Sequence, residues 1–266
     1  MDAGPSTRFE IGRVLRRSVS TVRRRWLELL LLTVAFVWGP WPLVYALVHA
    51  FHSAWSQGPA SFGLRAGLNL VEAFGLAAIT AVALRERGGS PTASLGRVLR
   101  ALPALLPAWV ASDYDIAWRF WAYSTGLFQK GRLSADVLAD FLLLVAGLEL
   151  LLAMAVAAGI GVFYPVVLAE RRGPLEAMQR AWLLLRGARW KVVSLYLLYL
   201  AAYFVITLPS VLTTIARGPS GPVGWITGAL ADAAQSFWWV AVAASYIELR
   251  EVKEGAPYDQ IAEVFV

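Results

Sequence analysis

Cysteine is absent from this sequence, which excludes disulfides, thiolate metal sites and cysteine nucleophiles. Histidine occurs only twice, as His49 and His52. Their spacing puts both imidazoles on one helical face, but spacing offers no third ligand of the kind a zinc site needs. No metal or cofactor is therefore expected. HExxH, GxSxG and P-loop patterns are also missing, so the recognisable routes to hydrolysis and nucleotide chemistry are closed. The expectation is a protein that is not an enzyme. Charge is scarce too: 16% of residues are Asp, Glu, Lys or Arg, against about 25% in soluble domains.

What is abundant is apolar surface. Hydrophobic residues make up 58% of the 266, and the mean hydropathy is +0.59. That composition belongs to the membrane class. Six stretches have the length and character of spans: Trp26 to Phe51, Ala66 to Leu84, Leu105 to Phe128, Val137 to Leu168, Val192 to Ile215 and Val223 to Leu249. Each can cross a hydrocarbon core of about 30 Å at about 1.5 Å per residue. Their backbone must be helical, because lipid offers no partner to a bare N–H or C=O. The expected fold is all-α: a polytopic integral membrane bundle of six transmembrane helices, forming one membrane domain over 1–266.

The distribution of basic residues orients the spans. The formal charge is +6, yet its placement follows membrane topology rather than a nucleic-acid footprint. Of the 24 lysines and arginines, 19 fall in the N-terminal arm, every second connecting segment and the C-terminal tail. The opposite side keeps Arg65, Arg119, Lys130, Arg132 and Arg217. The positive-inside rule then puts both termini in the cytoplasm. The first apolar run lacks a small-residue cleavage site, so it is expected to remain as a span rather than be removed as a signal peptide.

A repeat of roughly 81–84 residues runs in phase with this topology. Arg13-Val14-Leu15-Arg16 recurs as Arg97-Val98-Leu99-Arg100 and, more loosely, as Arg180-Ala181-Trp182-Leu183. Trp26, Trp109 and Trp190 follow the three copies, and the even spans close on "LRERGG", "LAERRG" and "LREVKEG". The units run over about 8–90, 91–173 and 174–255, with a C-terminal amphipathic stub at 256–266. Each comprises a cytoplasmic amphipathic interfacial helix, an outward span and a returning span, in a hairpin-like arrangement.

The stretch "PVVLAERRGPLEAMQRAWLLLRGARWKVVSLYLL" resembles the signature of the glycerophosphoryl diester phosphodiesterase membrane-domain family. Pro165, Glu170, Gly173, Glu176, Ala177, Trp182, Gly187 and Trp190 carry the pattern. "FEIGRVLRRSVSTVRRRW" and "SYIELREVKEG" resemble the family's termini, so the similarity extends over nearly the whole chain. It implies a six-span bacterial inner-membrane protein of structural motifs. The phosphodiesterase domain that names the family would not fit in 266 residues, and its metal-binding His/Glu set is absent, so hydrolysis is not implied.

Candidate functional residues are of two kinds. Ionisable groups within spans are costly when unpaired, which makes each a default site. They are Glu72, Asp113, Asp115, Arg119, Glu149 and Asp232, with polar Asn69 and Gln235 beside them. Asp115 and Arg119 are four apart and can pair on one helix face. Such a polar cluster fits an ion, proton or substrate path, or a set of ties between helices. The second kind is the interfacial helix from Pro174 to Trp190. Leu175, Met178, Trp182 and Leu185 form an expected apolar stripe, with Glu176, Gln179, Arg180 and Arg186 away from it. Arg180, Trp182, Arg186, Arg189 and Trp190 are the expected lipid-contact residues, near anionic phospholipid headgroups.

The function expected from these features is a scaffold, assembly or regulatory factor in envelope or lipid homeostasis. Its partners would be the lipid bilayer and a membrane protein or a second copy of itself, with no nucleic acid. The alternative is a transporter or lipid-handling permease component using the buried charges. A third reading, an intramembrane hydrolase, would need a second aspartate beside Tyr114-Asp115, and Asp232 lacks the surrounding glycines of such a partner motif.

Overall fold

The computed structural model describes residues 8–40, 59–85, 91–112, 161–217 and 222–255. Among them the fold is all-helical. Helix α1 spans Ile11–Leu32 and continues as a π-helical turn, Thr33–Trp38. Then come α2 (Pro59–Ala83), α3 (Pro91–Ser112) and α4 (Gly161–Glu170). Helices α5 (Pro174–Leu185), α6 (Arg189–Arg217) and α7 (Pro222–Glu254) complete the fold. Four of these helices, α2, α3, α5 and α7, begin on proline. A first-turn position suits that residue, because its fixed φ is already helical and no N–H is lost there.

Helix α7 is the axis. At 33 residues it is about 50 Å long, and it packs against α1, α2, α5 and α6. Its middle reads Val240-Ala241-Val242-Ala243-Ala244, all buried, and these short side chains let the neighbouring backbones come close. The core continues through Ala77, Ala78 and Ala81 of α2, Val166 to Ala169 of α4 and Ala177, Ala181, Leu184 and Leu185 of α5. A smaller cluster joins Leu29 and Val37 to Ile79, Val82 and Ala243.

Two local distortions position the first helix. Arg25 leaves helical geometry (φ −124°, ψ 23°), bending α1 where the basic segment meets the apolar one. Farther on, the Gly39 N–H donates to the Val34 carbonyl at 2.6 Å, closing the wide π turn. A Cβ at Gly39 would meet that same carbonyl, and one at Gly75 would meet Phe36. Glycine thus allows Phe36 to lie against α2, where its ring is 5.3 Å from that of Phe74.

The segment Arg189–Pro209 of α6 is long and apolar enough to cross a membrane. Only 17% of its most apolar stretch is buried by the rest of the protein, and Leu198, Phe204 and Val205 are exposed.

Candidate functional site

Polar residues concentrate at the end of the bundle where α1, α2, α4, α5 and the C-terminal turns of α7 meet. Arg13 and Arg17 lie one turn apart on α1. They face Glu248 and Glu251, which are three apart on α7. Arg13 Nε donates to Glu248 Oε1 at 2.7 Å, and Arg17 Nη2 donates to Glu251 Oε1 at 2.9 Å. Glu248 is only 2% exposed, so its charge depends on these guanidiniums, including Arg17 Nη1 at 3.9 Å.

Glu170 makes a second node. It accepts from Arg172 at 2.7 Å, from Arg180 at 3.1 Å and from the Tyr246 hydroxyl at 3.1 Å. Helices α4, α5 and α7 are thereby tied through one carboxylate. Arg180 also reaches Glu254, which accepts from Arg250 at 2.8 Å. Burial works against the Glu254 charge, but hydrogen bonds from Arg250 and Arg180 outweigh it and hold its carboxyl below its ordinary pKa. The same balance applies to Arg180: burial opposes its charge, and Glu254 and Glu170 overcome that, raising its pKa.

Cations also satisfy chain ends. The Arg25 guanidinium donates to the carbonyls of Val82 and Arg85, where α2 finishes. Helix ends carry unsatisfied carbonyls, and a cation there completes them. Arg85 in turn pairs with Glu28 at 2.7 Å, and Lys191 Nζ donates to the Phe9 carbonyl at 2.7 Å.

Of the expected intramembrane cluster, the structure brings Glu72 and Gln235 together: Gln235 Nε2 donates to Glu72 Oε1 at 3.0 Å. Asp232 lies one turn before Gln235 on α7, and Tyr199 and Tyr203 of α6 are within electrostatic range of both Glu72 and Asp232. Asp113, Asp115, Arg119 and Glu149 lie outside the described residues, as do His49, His52, the side chain of Asn69 and the stub at 256–266.

The helix expected from Pro174 to Trp190 forms as α5 but stops at Leu185, with Gly173 as its N-cap and Pro174 in its first turn, and Arg189 and Trp190 open α6 instead. Its expected stripe divides. Leu175, Met178 and Trp182 are exposed, at 77, 53 and 51%, whereas Leu185 is fully buried. Leu185 sits with Ala177, Ala181 and Leu184 on a different face, against the bundle. Apolar residues cover more than half of this short helix, so periodicity alone could not say which face meets protein. The alanine face goes inward because it permits closer approach. Arg189 stacks its guanidinium over Trp182, 3.6 Å from the ring centroid, and Trp190 is exposed. Arg186 and Glu176 are exposed as well.

Of the family-pattern residues, Glu170 is the tie described above, Pro165 lies within α4 and Gly173 caps α5. Sequence reasoning passed over Glu248, Glu251, Glu254 and Glu28. A usable signal was present in the matched spacing of Arg13 and Arg17 with Glu248 and Glu251. No protein-family model, curated protein or solved structure matches the chain.

Proposed function

We propose that this chain is a multi-pass bacterial inner-membrane protein of six spans with both termini cytoplasmic. It acts without catalysis, as a scaffold, assembly or regulatory factor in envelope or lipid homeostasis. The observation that carries the membrane reading is the exposed apolar surface of Arg189–Pro209, an arrangement whose natural solvent is lipid. Support for the inside orientation comes from the ion-paired basic end, which gathers the N-terminal helix and the last turns of α7. The exposed Leu175, Met178, Trp182 and Trp190, flanked by Arg186 and Arg189, support an interfacial helix lying against anionic headgroups. Ties of the Glu248 and Glu170 kind favour a fixed framework over a moving one. The resemblance to the glycerophosphoryl diester phosphodiesterase membrane-domain family supports the same reading.

The absence of native cysteine makes the topology directly testable. Single cysteines replacing Ser20, Ser56 or Lys253 can be labelled with a membrane-impermeant maleimide. Ser56→Cys should react in intact spheroplasts, and Ser20→Cys and Lys253→Cys only after lysis. Reaction of Ser20→Cys in intact spheroplasts would contradict the orientation. The scaffold reading is tested by affinity purification from native membranes, where a stoichiometric protein partner is expected. Recovery of the chain alone would count against it.

A second reading, a transporter or permease component, is favoured by one observation: the Glu72–Gln235 hydrogen bond with Asp232 beside it. Under that reading Glu72→Gln and Asp232→Asn abolish activity at unchanged protein level. Under the scaffold reading they alter abundance alone.

A further inference from the structure

Beside the ion-paired nodes lies a cavity of about 140 Å³ between α3 and the end of α4. Four arginines are among its lining residues: Arg97 and Arg100 from α3, Arg171 and Arg172 from the turn after α4. Ala101 and Ala104 keep the α3 wall short, and the buried Val167 and Leu168 contribute the α4 side. The volume exceeds several-fold the ~30 Å³ that a water molecule occupies in the liquid, which leaves room for a tetrahedral oxyanion with solvent around it.

The charge balance is one-sided. Arg172 shares Glu170 with Arg180 and Tyr246. Arg100 donates to the Gly96 carbonyl of its own helix. Among the described residues neither Arg100 nor Arg171 meets a carboxylate. The carbonyl end of α4 adds about half a negative charge, well short of the two positive ones on Arg100 and Arg171. The backbone supplies a separate indication. Arg171 has φ 53° and is the one non-glycine residue with positive φ among those described. Its N–H donates to the Val167 carbonyl, so it occupies the helix-ending position where glycine is most relaxed. Strained backbone of this kind concentrates where a side chain is needed in a set place, and here the residue is one of those lining the cavity.

We propose that Arg97, Arg100, Arg171 and Arg172 form a binding site for a phosphate ester. Guanidiniums bind phosphate oxygens through paired, charge-assisted hydrogen bonds. The anion could be presented by an anionic phospholipid headgroup or by a soluble phosphate compound. Only the headgroup source rests on the membrane reading above; the site itself does not.

The test uses the full chain purified in neutral detergent, then reconstituted in nanodiscs. The probes are inorganic phosphate, glycerol 3-phosphate, and nanodiscs of phosphatidylcholine with or without phosphatidylglycerol. Saturable binding is expected for at least one phosphate probe. Arg171→Gly and Arg100→Gln should each weaken it by about tenfold or more, the loss of one charge-assisted contact. Arg171→Gly relaxes the backbone, so its melting temperature should not fall; should it fall, Arg100→Gln alone decides. Selectivity for phosphatidylglycerol without binding of the soluble probes identifies a headgroup site, and the reverse identifies a soluble ligand. Absence of saturable binding by every probe, or binding that survives the deciding variants unchanged, overturns the proposal. Either result is separable from the cysteine-labelling outcome, because inorganic phosphate binding does not depend on topology.

Discussion

The arginines of α1 and those around the α3–α4 cavity all belong to basic segments of the chain, yet they meet different surroundings. Arg13 and Arg17 close onto Glu248 and Glu251, in contacts partly hidden from solvent. Arg100 and Arg171 face open space without a carboxylate. The first group answers an internal need: Glu248 is buried, and a buried carboxylate must be paired or neutralised. The second group answers no need of the fold. Two cations without a carboxylate in one place repel one another, and one of them, Arg171, holds a left-handed backbone. Arginines that tie helices and arginines that leave a charge open are thus distinguishable by what stands opposite them, though the sequence writes both as Arg-x-x-Arg or Arg-Arg.

The comparison can be broken most severely at Arg13. Arg13→Met removes the nearest cation from Glu248 and leaves a buried charge partly uncompensated, an effect of about 3–5 kcal/mol where a single partner is lost. Thermal unfolding in detergent should register it, and Arg13→Met combined with Glu248→Leu should recover much of the loss. If the double variant melts no higher than Arg13→Met, the pairing is not what holds α1 to α7.

Glu170→Gln should rank second. It weakens three contacts, two of which join α4 to α5 and α7, each charged hydrogen bond contributing about 1.5–3 kcal/mol before the amide's own bonds are set against it. Limited proteolysis at the α4–α5 turn should accelerate along with the fall in melting temperature.

A smaller change is expected from pH. Glu254 has a depressed folded pKa, set by Arg250 and Arg180 against burial. Its unfolded pKa is therefore the higher of the two, and the unfolded chain takes up the proton first. The stabilisation is fully present above the unfolded value and is lost as pH falls through the folded one. A melting curve series through the acid range should show this decline, and Glu254→Gln should flatten it.

The least effect on stability belongs to the cavity arginines. Arg100→Gln should stay within about 0.5 kcal/mol, as surface changes do. Arg171→Gly should be neutral or stabilising by up to about 1–2 kcal/mol, since glycine carries no left-handed penalty. A clear destabilisation by both would erase the distinction between tying and open arginines.

Much of the helical layout was legible in advance. Proline at 174 after Gly173 marked the start of α5, and the restart near Trp190 the start of α6, because helix starts depend on local chemistry; the end of α5 at Leu185 was not marked. The pairing of Glu72 with Gln235 was partly visible, as both were recognised as polar within apolar runs. The inward turn of Leu185 was not, since a helix with two apolar faces has no sequence-level reason to prefer one. Glu248 was equally hidden: a glutamate in "ELREVKE" reads as solvated until α1 is known to cover it.

By itself, the amino-acid sequence determined the helical character, the apolar lengths, the alternation of basic segments and the absence of thiol chemistry. These follow from composition and from interactions within a turn or two of one helix. Only the tertiary structure decided which arginines are neutralised. That outcome depends on residues more than 200 positions apart, such as Arg13 and Glu248, being brought within hydrogen-bond reach. Coulomb attraction at contact distance strengthens once protein replaces water between the groups, so the partner that folding brings across the helix interface settles the role of each charge.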